Sequence, residues 1–239
     1  MTASSILEKV TKLNKFNKPI HNIYHLGTEQ LLRFDTEKDL GIMLHHTLAW
    51  HDHIFTKVNS ANKTLRLIKR TCGNQTQSAV LRKLYIHLVR PHLEYACEIW
   101  SPHQAFLQDM IESVQRRATR LMIKGKSYME RLKSLHLLTL KSRRTLLDLI
   151  FFYKCLKGLL NINLSRFIIS RNNAAYELRN ADLSFKTQYT RTNMLKYSYF
   201  HRTVKAWNCL PMHIRKSESL SDFKRLCKAY FYQLDAELT

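Results

Sequence analysis

Apolar side chains recur at alternating steps of four and three residues at Ile54, Val58, Ala61, Leu65 and Ile68, the spacing that a helix needs to bury one face. Lys57, Lys63, Arg66 and Lys69 lie around this seam, so an amphipathic helix is predicted here, ended by the Gly73-Asn74 pair. Only five glycines and four prolines punctuate the 239 residues, too few for a sheet protein rich in tight turns, and helix should dominate. A second helix is predicted through Val80, Leu81, Leu84, Tyr85, Leu88 and Val89. Pro91, which has no amide donor, stops or kinks it.

A third helix, from about Phe106 to Lys124, sorts its side chains by chemistry at about 100° per residue. Met110, Ile111, Val114, Ala118, Leu121 and Met122 share one sector, while Arg116, Arg117, Arg120 and Lys124 share another. The run from Leu140 to Leu160 is apolar nearly all round and is expected at the centre of the core. Its most apolar stretch, Leu146 to Leu160, is interrupted by Asp148, Lys154, Lys157 and Gly158 and is short for a bilayer span of about 20 residues. Helices are predicted again over Tyr199 to Cys209 and, after Pro211, from about Ser221 to Leu234, where Phe223, Leu226, Cys227, Tyr230 and Phe231 form an apolar stripe capped by Ser221.

The N-terminal stretch has a different texture. Ser5 and Glu8 make a capping box for a short helix carrying Ile6, Leu7, Val10 and Leu13. Ile23 to Leu26, a Gly27 turn, Leu31 to Phe34 and Leu40 to Leu44 then read as short strands. The expected fold is mainly α, a helical bundle with a short N-terminal β-hairpin. Its expected divisions are residues 1–48, 49–160 (a basic bundle), 161–198 (an irregular connection) and 199–239 (a C-terminal helical segment).

Thirty-nine lysines and arginines against eighteen acids leave a formal charge of +21, which attracts polyanions. An anionic membrane surface competes with nucleic acid as the partner. The charge is spread along the chain rather than gathered beside an anchor, so nucleic acid is expected and membrane is not. Between Gln115 and Arg144 there are ten basic residues and one acid, Glu130, a stripe that its neighbours cannot neutralise. Lysine and arginine also populate any solvated helix face. The density of the stripe favours phosphate contact, and Arg116, Arg117, Arg120, Lys124, Arg143 and Arg144 are the candidate contacts.

Five widely spaced cysteines fit reduced thiols in an intracellular protein, nuclear or cytoplasmic, and the opening residues do not read as a secretory signal. His45, His46, His51 and His53 lack cysteine or carboxylate partners at ligand spacing. Cys209 and His213 lack a second cysteine pair, so neither metal nor cofactor is expected. A cysteine nucleophile paired with a histidine stays open, because such partners meet only in the fold. Trp50, Trp100 and Trp207 could stack on bases, but are expected in the core.

Several segments resemble the region downstream of the catalytic palm in LINE-like, non-LTR retrotransposon reverse transcriptases. One runs Lys38-Asp39-Leu40-Gly41-Ile42 with Leu48, Trp50, His53 and Ile54. Another is Arg90-Pro91-His92-Leu93-Glu94-Tyr95-Ala96 with Trp100-Ser101-Pro102, and a third is Ile111 to Arg120. Tyr128, Arg131-Leu132, Leu135, Leu140, Arg143-Arg144, Asp148-Leu149 and Tyr153-Lys154 continue the likeness. Phe200-His201-Arg202, Trp207 to Pro211, Ser219 and Phe223-Lys224 close it.

The resemblance implies a thumb-like grip on RNA or an RNA–DNA duplex. It also implies that the metal-holding aspartate pair of the polymerase lies before Asp39 in the family pattern. No two acidic residues are adjacent in this sequence, and no phosphate-cradling G-x-x-x-x-G-K-[ST] loop exists. The chain is therefore expected to lack catalysis on its own, with Mg²⁺ relevant only if a palm is supplied elsewhere. Three alternatives remain: part of an active reverse transcriptase completed by other sequence, a decayed remnant, or a helical module that binds a protein partner. Oligomeric state is not encoded in any pattern of this sequence.

Overall fold

The computed structural model describes residues 25–26, 28–30, 34–72, 76–170 and 183–237. The helix expected after Ser5, the Gly27 turn and most of the strand expected from Leu31 lie outside them. The chain divides into two compact units, Met1–Trp50 and His51–Thr239.

In the first unit β1 (His25–Leu26) pairs antiparallel with β2 (Glu29–Gln30), and β3 (Thr36–Asp39) with β4 (Ile42–His45). Leu40 (φ 46°) and Gly41 (φ 81°) join the second pair. Two consecutive positive φ angles give a loop whose twist matches that of the flanking strands. The residue pattern places Leu40 and Gly41 inside a strand instead. Leucine costs roughly 1–2 kcal/mol in this conformation and signals no turn in a sequence, which explains the difference.

In the second unit α1 (His51–Cys72) buries Ile54, Val58, Ala61, Leu65 and Ile68, the predicted seam. Helix α2 (Ser78–Leu84) runs through a wider π turn (Tyr85–Val89) into α3 (Pro91–Glu94). The Arg90 amide donates to the Tyr85 carbonyl at 2.9 Å, one residue further back than in an α-helix. The wide turn ends just before Pro91, whose ring would otherwise press on the preceding turn. Ala96, with φ 51°, leads into α4 (Cys97–Trp100). Next come α5 (Ala105–Met122), α6 (Tyr128–Leu135), α7 (Leu140–Leu156), α8 (Asn193–Lys196), α9 (Tyr199–Cys209), α10 (Met212–Arg215) and α11 (Leu220–Glu237). The protein is mainly α, as its periodicity predicts.

Helix α7 is the central element, packing against α4, α5, α9 and α11. Leu146, Leu149, Phe152 and Tyr153 meet Val204, Trp207, Phe223, Cys227 and Phe231 in one apolar cluster. The helix stops short of the expected Leu160. Gly158 adopts φ 67°, its amide donates to the Cys155 carbonyl at 3.2 Å, and the Leu159 amide donates to the Lys154 carbonyl at 2.9 Å. This paired bond pattern closes a helix around a left-handed residue, the conformation that glycine adopts most cheaply.

The described residues of the connection expected over 161–198 belong to the second unit. Trp207 Nε1 donates to the Leu183 carbonyl at 2.9 Å. Asn208 holds Phe185 from both sides, accepting from its amide at 3.2 Å and donating to its carbonyl at 2.9 Å. Among the described residues no helix is long and apolar enough to cross a membrane.

Candidate nucleic-acid interface

The polar residues of the motif segments turn largely inward. Glu94 ion-pairs with Arg90 at 3.2 Å and accepts from Arg143 Nε at 2.9 Å, tying α3 to α7. Asp148 of α7 accepts from Arg202 Nε at 2.9 Å and Nη2 at 3.0 Å, tying α7 to α9. Arg131 is 6 % exposed; its Nε donates to Thr119 Oγ1 at 3.2 Å and its Nη1 donates to the Lys126 carbonyl. It thereby pins the turn between α5 and α6.

Two carboxylates meet the N-terminus of α7. Glu112 Oε2 accepts from the Leu140 amide at 3.0 Å. Asp235 of α11 accepts from the Thr139 amide at 2.9 Å and the Ser142 hydroxyl at 2.6 Å. Free amides and the positive end of a helix dipole favour carboxylates there. Burial nevertheless raises the Glu112 pKa, opposed by its bonds from Tyr128 and Leu140. Gln115 completes the network, accepting from Tyr85 at 2.7 Å and donating to the Leu138 carbonyl at 2.9 Å.

Against this interior the six candidate phosphate contacts separate. Arg116, Arg117 and Arg120 are exposed on α5, with Lys124 exposed just beyond its end. Arg116 ion-pairs with Asp109 at 2.8 Å and lies over the Tyr128 ring at 5.6 Å. Among the described residues Arg117 bonds only its own helix, at the Ser113 carbonyl (3.2 Å) and hydroxyl (3.1 Å). Among the described residues Arg117, Arg120 and Lys124 ion-pair with no acid.

Arg143 and Arg144 do not join this surface. Arg143 is half-buried on Glu94, and Arg144 is 2 % exposed. They are consecutive on a helix buried nearly all round, so a charge count cannot reveal that both face inward. Asp148 meets Arg202 only across helices, and Glu94, although four residues from Arg90, meets Arg143 the same way, so these cross-helix pairings carry no local sequence signal.

Trp100 and Trp207 are each 1 % exposed and occupy the core as expected, while Trp50 is half-buried. Burial pushes the Cys155 thiol up to about 11 and Cys227 up to about 12, and holds Cys97 well above its usual value. These three are poor nucleophiles at neutral pH. Among the described residues no three of His, Cys, Asp and Glu converge as a metal-binding group. No protein-family profile matches the chain, and neither does any curated protein or any solved structure.

Proposed function

We propose that this chain is a helical, non-catalytic piece of the non-LTR retrotransposon reverse-transcriptase lineage that grips RNA or an RNA–DNA duplex by its phosphates. The observation that carries the reading is the exposed group Arg117, Arg120 and Lys124, which no acid neutralises among the described residues, on a chain of charge +21. Paired acids elsewhere account for Arg143 and Arg116, so these three are the charges most available to displace counterions from a nucleic-acid backbone. Arg116 contributes less, because Asp109 must first release it.

Titrating labelled RNA–DNA duplex against the full chain at rising salt tests the reading. Affinity falls steeply, with little dependence on sequence. Combined Arg117→Gln, Arg120→Gln and Lys124→Gln replacement lowers the slope of log K against log salt by about three, roughly one for each phosphate that is no longer neutralised. A slope unchanged by the triple replacement, or no binding at all, sinks the interface. Nucleotide incorporation by the chain alone with Mg²⁺ sinks the non-catalytic part.

A further inference from the structure

A cleft of about 240 Å³, open to solvent on one side, has Gln108, Lys141, Arg144, Asp148 and Arg202 among its walls. Arg144 is the unusual member. It is 2 % exposed, and neither its Nε nor its Nη1 has a hydrogen-bond partner. A guanidinium stays charged at any ordinary pH and offers five N–H donors in a rigid fork, and here Nε and Nη1 are closed off from solvent with no acceptor among the described residues, on a residue that lines the cleft.

The nearby acids hold other donors, and of the three Glu112, whose hydrogen-bond partners are all neutral, acts most strongly on the Arg144 charge. Asp148 is held by two nitrogens of Arg202, at 2.9 and 3.0 Å. Glu112 accepts from Leu140 at 3.0 Å and from Tyr128, and Glu94 accepts from Arg143 at 2.9 Å. Other polar wall groups are occupied too: Arg202 Nη2 also donates to the Glu98 carbonyl at 2.6 Å, and Gln108 donates to the Pro102 carbonyl at 2.9 Å. That leaves Arg144 inside and exposed Lys141 at the rim as cationic wall groups without an ion-pair partner among the described residues.

We propose that this cleft binds a terminal phosphate group, with Arg144 gripping it from within and Lys141 from the rim. Two unpaired cations, one of them a planar fork, match a doubly charged phosphomonoester better than a singly charged carboxylate. His103 and Tyr197, also on the wall, stack at 3.9 Å with an interplanar angle of 2°. An aromatic wall beside the cations suits a nucleotide as the carrier of the phosphate. The site is independent of the α5 surface and stands even if that surface binds no duplex.

Calorimetric titration of the full chain at constant ionic strength, with inorganic phosphate, adenosine monophosphate and adenosine, tests it. One saturable site is expected for the first two and none for adenosine. Lys141→Gln, a surface change that leaves the core intact, weakens binding about tenfold, the usual effect of removing a hydrogen bond to a charged group, and Arg144→Gln abolishes it. Absence of a saturable phosphate site overturns the proposal, as does a site of unchanged affinity in Lys141→Gln. The second criterion decides even if Arg144→Gln fails to fold. In a second arm, preference for a 5′-phosphorylated oligonucleotide over its 5′-hydroxyl form, abolished in Lys141→Gln, assigns the phosphate to a strand end. Equal binding of the two oligonucleotides alongside a retained mononucleotide site assigns it to a free nucleotide, and the site stands in both cases.

Discussion

His53 is 1 % exposed on α1, its ring 5.3 Å from that of Trp100. Burial, reinforced by the charge of Lys57 one turn on, lowers its pKa from 6.5 to about 4. With the folded value below the unfolded one, the neutral ring contributes stability that is fully present above pH 6.5 and is lost as pH falls through about 4. The loss reaches up to about 3 kcal/mol. Glu112 and Asp148 act in the opposite sense: burial raises both values, so each gives stability present below its unfolded pKa and lost as pH rises through its folded one. Comparison with a His53→Leu variant isolates the histidine. Melts between pH 7 and 4 should show the wild type losing more stability than the variant, and parallel losses would contradict the assignment.

Helix α7 depends on groups from two other helices for its first turn. Asp235 is 96 residues from Thr139, yet it accepts both the Thr139 amide and its hydroxyl, at 2.9 and 3.2 Å. Asp235→Ala should cost about 1–2 kcal/mol in urea unfolding, the usual worth of a helix cap, and Asp235→Asn less. An unchanged midpoint for the alanine variant would show that Glu112 and Thr139 suffice. The paired acids and arginines Glu94–Arg143 and Asp148–Arg202 act at the same scale, each joining α7 to a neighbour. Segments that carry the family resemblance thus supply the cross-links between helices as well as apolar faces.

At the scale of the whole molecule, the apolar cluster around Trp207 and the polar ties of α7 all lie within His51–Thr239. A chain begun at His51 should keep its helical circular dichroism and a cooperative melt, because no member of that cluster is removed. Loss of cooperativity would mean that the second unit cannot hold its core alone.

Periodicity in the sequence determined that the protein is helical, that Ile54 to Ile68 would be buried along one face, and that the run from Leu140 would be central. Those readings need only local geometry, since side chains three and four residues apart share a face wherever the helix lies. Charge density likewise located the stripe containing Arg116, Arg117, Arg120 and Lys124. Tertiary structure alone decided which cations face water. Arg143 and Arg144 look equivalent to Arg116 and Arg117 as letters, but α7 is enclosed by four helices whereas α5 leaves one side open. Burial of a charge is settled by partners distant in the chain, and those distances exist only after folding.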